Sequence, residues 1–424
     1  MRSTRKTKND APLIALLIAL SSLLMFGIVF FVFNYLNDDA ANTEQPDNQA
    51  KTIEQAENDD EVEKSEGSES DTKEQTTKIR ISAAGDIMFH QTQLTSGYDE
   101  ATKTYDFKPV FEDVKPILSE ANLAIANLET TLGGPEKGYS GYPLFNSPDE
   151  VIDALKYAGI DIVATANNHS LDTGSDGLKR TVQKLNENGI DTVGTYAEKP
   201  DSRTLLKDIE GIKIAILAYT ESTNGLGSNY PADQLNNMLN LMTKENILRD
   251  IEEAKHLEAD FIIAFMHWGT EYMEEPNEKQ VEYAKTMAEA GVDLILGSHP
   301  HVVQKAEIIE TGLSETFVIY SMGNFISNQR KETLGPDKEL TEDGIIVQID
   351  IEKNHLTNET KIANVEYVPT WVYRELKSGS PNKYTYRILP IADSLLREEI
   401  SNEYKQRMER SYEATMAKMI ERPF

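Results

Sequence analysis

From Lys78 onward, short apolar runs and amphipathic stretches take turns along the chain, and this alternation limits its fold more than any other feature. Residues 78–84, 123–126, 160–165, 213–218, 261–265 and 293–296 each have the length and apolar content of a buried strand. Between them, residues 110–120, 148–157, 176–188, 243–256 and 278–290 read as helices. Ser147 is placed to cap the second of these and Gly189 to close the third. Alternation of this kind specifies a largely parallel sheet with helices on its faces. Further strands at 316–320 and 344–351 have fewer helices between them and predict a second sheet packed on the first. Residues 392–419 read as a final helical region. The expected fold is α/β, two packed mixed β-sheets flanked by helices, with no internal repeat.

The preceding residues are of another kind. Residues 1–11 form a basic tail with Arg2, Arg5, Lys6 and Lys8 against Asp10, and residues 12–36 carry no charge at all. A bilayer core of ~30 Å needs about 20 apolar residues in a helix. The basic flank stays in the cytoplasm, so whatever follows the helix is exported. A cleaved signal peptide has a shorter apolar region, roughly 7–15 residues, and ends at a small-residue site that this run lacks. The expectation is a single-pass anchor in the cell membrane of a Gram-positive-type bacterium, with an extracellular C-terminal domain. Residues 37–77 hold 14 acidic and 3 basic side chains and no aromatic one. They cannot bury enough apolar surface to offset chain entropy, so they read as an extended tether.

Of the formal net charge of −29, −11 lies in the tether and +3 in the first ten residues, leaving −21 on residues 78–424. Such a surface argues against nucleic acid as a partner, and against a polyanion unless a cation intervenes. The chain has no cysteine. Disulfides and thiolate metal sites are therefore excluded together, and any metal centre must be built from His, Asp, Glu and Asn.

Residues of that type stand where the predicted strands end. Asp86 follows the first strand in Gly85-Asp86-Ile87-Met88-Phe89-His90, and Glu129 follows the second in Asn127-Leu128-Glu129. Asn168-His169 follows the third, His267 the strand at 261–265, and His299-Pro300-His301 the strand at 293–296. Ligands bind outside the carboxyl ends of strands in open α/β sheets. Taken singly, each group is compatible with a turn, a cap or a satisfied core histidine. Five of the seven histidines in the chain fall in these junctions, however. The conjunction of imidazole, carboxylate and amide suits one or two divalent cations such as Mn, Zn or Fe.

The order of these groups resembles the calcineurin-like metallophosphoesterase pattern. On that resemblance Asp86, Glu129 and His301 bind one metal, with His90 as a further ligand, and Glu129, Asn168, His267 and His299 bind the second. His169 becomes the acid or hydrogen-bond donor beside a leaving group, and Asp172 orients it. Two departures stand out: Met88 occupies the position two after Asp86 where the pattern has His, and Glu129 replaces an Asp. These departures match a narrower family. The strings Gly85-Asp86-Ile87-Met88, Asn127-Leu128-Glu129-Thr130, Ala166-Asn167-Asn168-His169-Ser170-Leu171-Asp172, His267-Trp268-Gly269-Thr270-Glu271-Tyr272, Gly297-Ser298-His299-Pro300-His301 and Ser321-Met322-Gly323-Asn324-Phe325 resemble the CapA/PgsA family of poly-γ-glutamate capsule synthesis proteins. The likeness runs from about Ile79 to Phe325.

The resemblance implies a metallophosphoesterase-like α/β/β/α sandwich core at 78–330. It also implies a role in making or exporting poly-γ-glutamate beside other capsule membrane proteins. Residues 331–424 carry no such motif and are expected to complete the second sheet and end in a helix. Three function classes stay open: an accessory protein that binds or guides the polymer, a metal-dependent hydrolase of a phosphoester or amide, and a metal-free surface interaction domain.

Overall fold

The computed structural model of the chain describes residues 75–312 and 314–420. The expected membrane span at 12–36, the basic tail and nearly all of the acidic tether lie outside the described residues. Among those described, no helix is long and apolar enough to cross a membrane.

The first sheet grows on both sides of β1 (Thr76–Ile87). A two-strand ribbon, β2 (Tyr98–Asp99) and β3 (Thr104–Tyr105), follows β1 in the chain. Then β4 (Leu123–Leu128), β5 (Ile162–Ala164) and β6 (Asp191–Val193) add in parallel, each beside the one before, starting from one edge of β1. The chain next builds a second sheet from β7 (Leu205–Ile209), β8 (Ile212–Thr220), β9 (Phe261–His267), β10 (Leu294–Ser298), β11 (Ala306–Thr311) and β12 (Ser314–Ile319). Its order is β11-β12-β10-β9-β8-β7, parallel at the centre with an antiparallel strand at each edge. Four strands then return to the first sheet: β13 (Asn324–Ile326), β14 (Asp343–Asn354), β15 (Glu359–Leu376) and β16 (Tyr384–Pro390). The first sheet's order becomes β16-β15-β14-β1-β4-β5-β6, with β13 also paired to β1.

Period-two alternation explains the layering. Ile79, Ile81 and Ala83 of β1 and Ile345, Val347 and Ile349 of β14 point into one core. Ile214 and Ile216 of β8, Phe261, Ile263 and Phe265 of β9, and Leu294 and Leu296 of β10 enter it from the other sheet. The alternate residues of the second sheet, among them Leu217, Ile262 and Ile295, pack on helices Lys244–His256 and Glu278–Glu289. Those of the first sheet pack on helix Glu150–Ala158. Both sheets are therefore buried on two faces, which is why the central strands read as unbroken apolar runs.

Three local expectations change. Residues 110–120 form not one helix but two short pieces, Lys108–Phe111 and Lys115–Ser119, each begun by a proline at its second position. Ser147 does not cap the helix after it; its hydroxyl meets that of Thr130 at 2.8 Å, and the helix starts beyond Asp149. The C-terminal strands do not complete a second sheet. They lengthen the first, because β14 pairs antiparallel along the free edge of β1 from Thr76↔Asn354 to Ala84↔Ile346. The last described elements are a single turn, Ile391–Ser394, and a helix, Asn402–Met416, capped by Ser401.

Candidate metal centre

β1, β4 and β5 of one sheet and β9 and β10 of the other end on the same side, so their terminal residues face one another across the sandwich. The pairing register of β1 shifts around Asp86, a bulge that re-aims its side chain. Close backbone approach fixes it there: Asp86 N–H donates to Gly323 O at 3.0 Å, and a Cβ on Gly85 would lie 2.0 Å from that same oxygen. Only glycine fits at 85.

The donors converge closely. His267 Nε2 lies 3.0 Å from Asn168 Oδ1, 3.1 Å from His299 Nδ1 and 3.5 Å from Glu129 Oε1. His301 stands with Nδ1 3.1 Å from Asp86 Oδ2 and Nε2 3.8 Å from Glu129 Oε1. Two sets of ligand atoms lie within 4.8 Å of one another, Glu129–His299–His301 and Asp86–Glu129–His267. Glu129 is common to both sets. The shorter distances place His301 beside Asp86 and His267 beside Asn168 and His299. His299 and His301 both hold positive φ, 95° and 57°. Backbone strain of this kind costs on the order of 1–3 kcal/mol per residue and persists where the surroundings impose it.

Asp86 and Glu129 are wholly buried, and Glu129 Oε1 has no hydrogen-bond partner among the described residues. Burial, with Asp86 and Glu271 nearby, pushes the Glu129 carboxyl well above its ordinary range. Burial and the neighbouring His299 hold His267 well below the usual imidazole value, and burial with His301 brings His299 down to about 4. Among the described residues neither carboxylate has a lysine or arginine partner. His267 Nε2 and His299 Nδ1 meet at a distance where either a proton or a cation must lie between their lone pairs. Unpaired buried carboxylates are strongly unfavourable. Donors 3.0–3.5 Å apart match the mutual spacing of atoms bound about 2.0–2.2 Å from a common ion. The donor set fits a divalent cation.

The remaining expected residues sit around this cluster. His169 Nδ1 lies 2.7 Å from Asp172 Oδ2, which also accepts Phe145 N–H at 2.6 Å. Burial raises the Asp172 carboxyl, against the pull of His169. His90 is half-buried, and its ring meets Asn328 N–H rather than the ligand atoms. It lines a cleft of about 270 Å³ together with His169 and His301.

Three supporting residues carried no assigned role in the sequence. Asn127 Nδ2 donates to Asp86 Oδ1 at 2.8 Å, Ser298 Oγ meets His267 Nδ1 at 3.0 Å, and Asn324 Oδ1 meets His301 Nδ1 at 3.1 Å. Such partners fix the orientation of ligands. Asn127 left a signal, a polar side chain inside the apolar string Leu123-Ala124-Ile125-Ala126 and Leu128.

Fold and site together define a layered α/β domain whose strand ends carry a donor set for divalent cations. The chain belongs to the bacterial capsule synthesis protein PGA_cap family, whose model matches residues 80–329. It is 29% identical over 260 residues to the capsule biosynthesis protein CapA of Bacillus anthracis, covering 59% of this chain and 60% of that protein. It is 28% identical over 281 residues to the PGA biosynthesis protein CapA of Bacillus subtilis, covering 65% and 68%. The chain thus spans about two thirds or less of these relatives' length. A calcineurin-like phosphoesterase from Bacillus subtilis overlays with a TM-score of 0.40 and 14% identity, over 81% of this chain and 98% of that one. An overlay at that level is too loose to carry a functional argument.

Proposed function

We propose that this chain is a membrane-anchored, extracellular accessory protein of poly-γ-glutamate capsule synthesis or export, and that its strand-end centre holds one or two divalent cations used to bind or process the polymer. Family membership and the names of its Bacillus relatives support the capsule role. The uncharged run at residues 12–36 behind a basic tail supports the anchor. The observation that carries the reading of the site is the meeting of Asn168 Oδ1, His299 Nδ1 and a Glu129 oxygen that has no hydrogen bond among the described residues, all around His267 Nε2.

Asp86, Glu129, Asn168, His267, His299 and His301 would hold the ions. Mn, Zn or Fe suits these donors. A divalent cation so held supplies Lewis acidity and a local positive charge. The chain's own residues then have separate tasks. Asn127, Ser298 and Asn324 orient the ligands. Asp172 holds Nδ1 of His169, which turns Nε2 of that ring to the cleft, where it can give a proton to a leaving atom. This pair favours a second reading, a surface metal-dependent phosphoesterase or amide hydrolase unrelated to capsule, because a purely structural site has no need of it.

The test is made in capsule-forming cells and on the purified full-length chain. His299→Ala and Asn168→Ala are expected to lower surface polymer while the protein stays in the membrane. Normal polymer in both variants would sink the metal-dependent reading. Cleavage of a model phosphodiester or γ-glutamyl amide with Mn²⁺ or Zn²⁺, abolished by His169→Ala, establishes hydrolysis. Protease added to intact protoplasts should release a soluble fragment beginning in the tether, and full protection would overturn the orientation.

A further inference from the structure

His90 stands four residues after Asp86, and its place on the cleft wall beside His169 and His301 invites a ligand role. Its hydrogen bonds point elsewhere. Asn328 N–H donates to His90 Nδ1 at 3.2 Å. A backbone amide can only donate, so Nδ1 keeps its lone pair and the proton of the neutral ring resides on Nε2. The unprotonated nitrogen through which a neutral imidazole could bind a cation is therefore already engaged.

The amide that sets this tautomer is itself fixed. Asn328 Oδ1 accepts Tyr386 Oη–H at 2.7 Å and Arg374 Nη1–H at 3.0 Å, and Asn328 O accepts Thr333 Oγ1–H at 2.8 Å. On the other side, the Phe145 ring lies between two imidazole edges, 5.1 Å from His90 and 4.8 Å from His169, both near-perpendicular. Among the described residues no lysine or arginine lines the cleft, and Glu271 is its one carboxylate. An anion entering it would find the centre on one wall, the Glu271 carboxylate to keep clear of, and neutral donors such as His90 and Tyr272 on the rest.

We infer that His90 is not a metal ligand but a neutral hydrogen-bond donor, presenting Nε2–H to an oxyanion group, phosphoryl or carboxylate, bound in the cleft beside the centre. The tautomer follows from the protein's own hydrogen bonds; only the oxyanion's position rests on the cation reading of the centre. Tyr386 and Arg374, outside the stretch matched by the family, act here as positioning residues through Asn328.

The experiment uses the full-length chain labelled with ¹⁵N-histidine, the His90 signals being identified by their loss in His90→Gln. Long-range ¹⁵N–¹H correlation should show the Nε2–H tautomer for His90, unchanged on addition of Zn²⁺, while the signals of His267, His299 and His301 move. A His90 Nδ1–H tautomer, or a His90 nitrogen shifted by Zn²⁺, overturns the proposal. If no imidazole responds to Zn²⁺, the cation reading fails, and the tautomer alone still decides the case for His90. Zn²⁺ stoichiometry should be unchanged in His90→Ala and His90→Gln, and its loss in either overturns the proposal. For the Zn²⁺-loaded chain, His90→Ala should weaken binding of inorganic phosphate or of γ-glutamyl-glutamate about tenfold, the scale of a lost hydrogen bond to a charged group. His90→Gln, which keeps a donor, should recover part of that loss. The ligand that suffers more identifies the oxyanion as phosphoryl or carboxylate. Equal binding of both ligands by wild type and His90→Ala overturns the assignment.

Discussion

Two clusters of charge are built into this domain, and they are balanced in opposite ways. In one, Arg330 Nε sits 2.6 Å from Glu332 Oε2, Arg407 Nη1 lies 2.8 Å from Glu332 Oε1, Arg407 also pairs with Glu342, and Arg410 Nη2 lies 2.9 Å from Asp343 Oδ1. Three guanidinium groups meet four carboxylates, Glu339 lying 3.9 Å from Arg410 Nε, and Arg330 and Arg407 also approach the Trp371 ring at 5.8 and 5.2 Å. Burial pushes Glu332 up, but its arginine hydrogen bonds hold it at about 2. Glu342 leaves Oε2 without a hydrogen bond, yet its other oxygen rests on Arg407. In the second cluster, among the described residues, Asp86 and Glu129 have imidazoles, amides and each other as neighbours, and no lysine or arginine. The first cluster gives every carboxylate an arginine and serves to pin the helix Asn402–Met416. The second is neutral only with something added, and that separates a structural charge cluster from a functional one.

The sharpest way to break this contrast is to remove one carboxylate from each cluster. Glu129→Ala should weaken divalent-metal binding on the order of a hundredfold or more, since even partners one step removed from a metal are worth 10–100-fold. Glu342→Ala should leave it unchanged. Titration calorimetry with Mn²⁺ or Zn²⁺ on both variants checks this, and equal affinities would place the two clusters in one class.

Stability should show the converse. Arg407→Ala removes the nearest partner of Glu342, leaving it Arg330 Nη2 at 3.9 Å, and should cost about 3 kcal/mol, whereas replacing the pair together, Arg407→Met with Glu342→Leu, should restore most of it. Urea unfolding measures both, and metal content should stay at the wild-type level in each. A chelator should act only on the second cluster. Removing an ion held at about a hundred times its dissociation constant lowers apparent stability by about 2.7 kcal/mol. The thermal midpoint of the wild type should therefore fall, and that of Glu129→Ala should not move.

The same contrast explains what could be read from the sequence. Strand ends were legible because each central strand is an apolar run stopped by one residue of distinct chemistry, Asp86, Glu129, Asn168, His267 or His299. The arginine–carboxylate cluster was not, because its members spread from Arg330 to Arg410 among many exposed charges and share no period. β15 was missed for a related reason. Its Glu359, Lys361, Glu366 and Arg374 read as a solvated stretch, and Pro369 argues against a strand. The structure places Pro369 opposite Ile345 of β14 and just before β16 begins to pair at Thr370, where its missing N–H leaves no ladder bond unmade. Asp86 was legible while its support was not, since the Gly85–Gly323 contact joins residues far apart in sequence.

The smallest expected effect concerns the residue that joins the two clusters. Asn324 Oδ1 holds Nδ1 of His301 at 3.1 Å, while its Nδ2 donates to Thr341 O at 2.9 Å and to Gln329 Oε1 at 3.0 Å. Thr341 is followed by Glu342, so one amide spans from a ligand of the centre to the segment that the arginines hold. Asn324→Ala removes an orienting partner but no ligand, and should weaken metal binding about tenfold. It should cost about 1 kcal/mol in stability, the scale of a lost hydrogen bond. If the clusters communicate through this amide, the metal affinities of Asn324→Ala and Arg407→Met will not combine additively. A coupling of about 0.5 kcal/mol or more in a double-mutant cycle marks residues that share a network. Additivity within that limit would show two clusters that share a domain but not a function, with Asn324 acting on His301 alone.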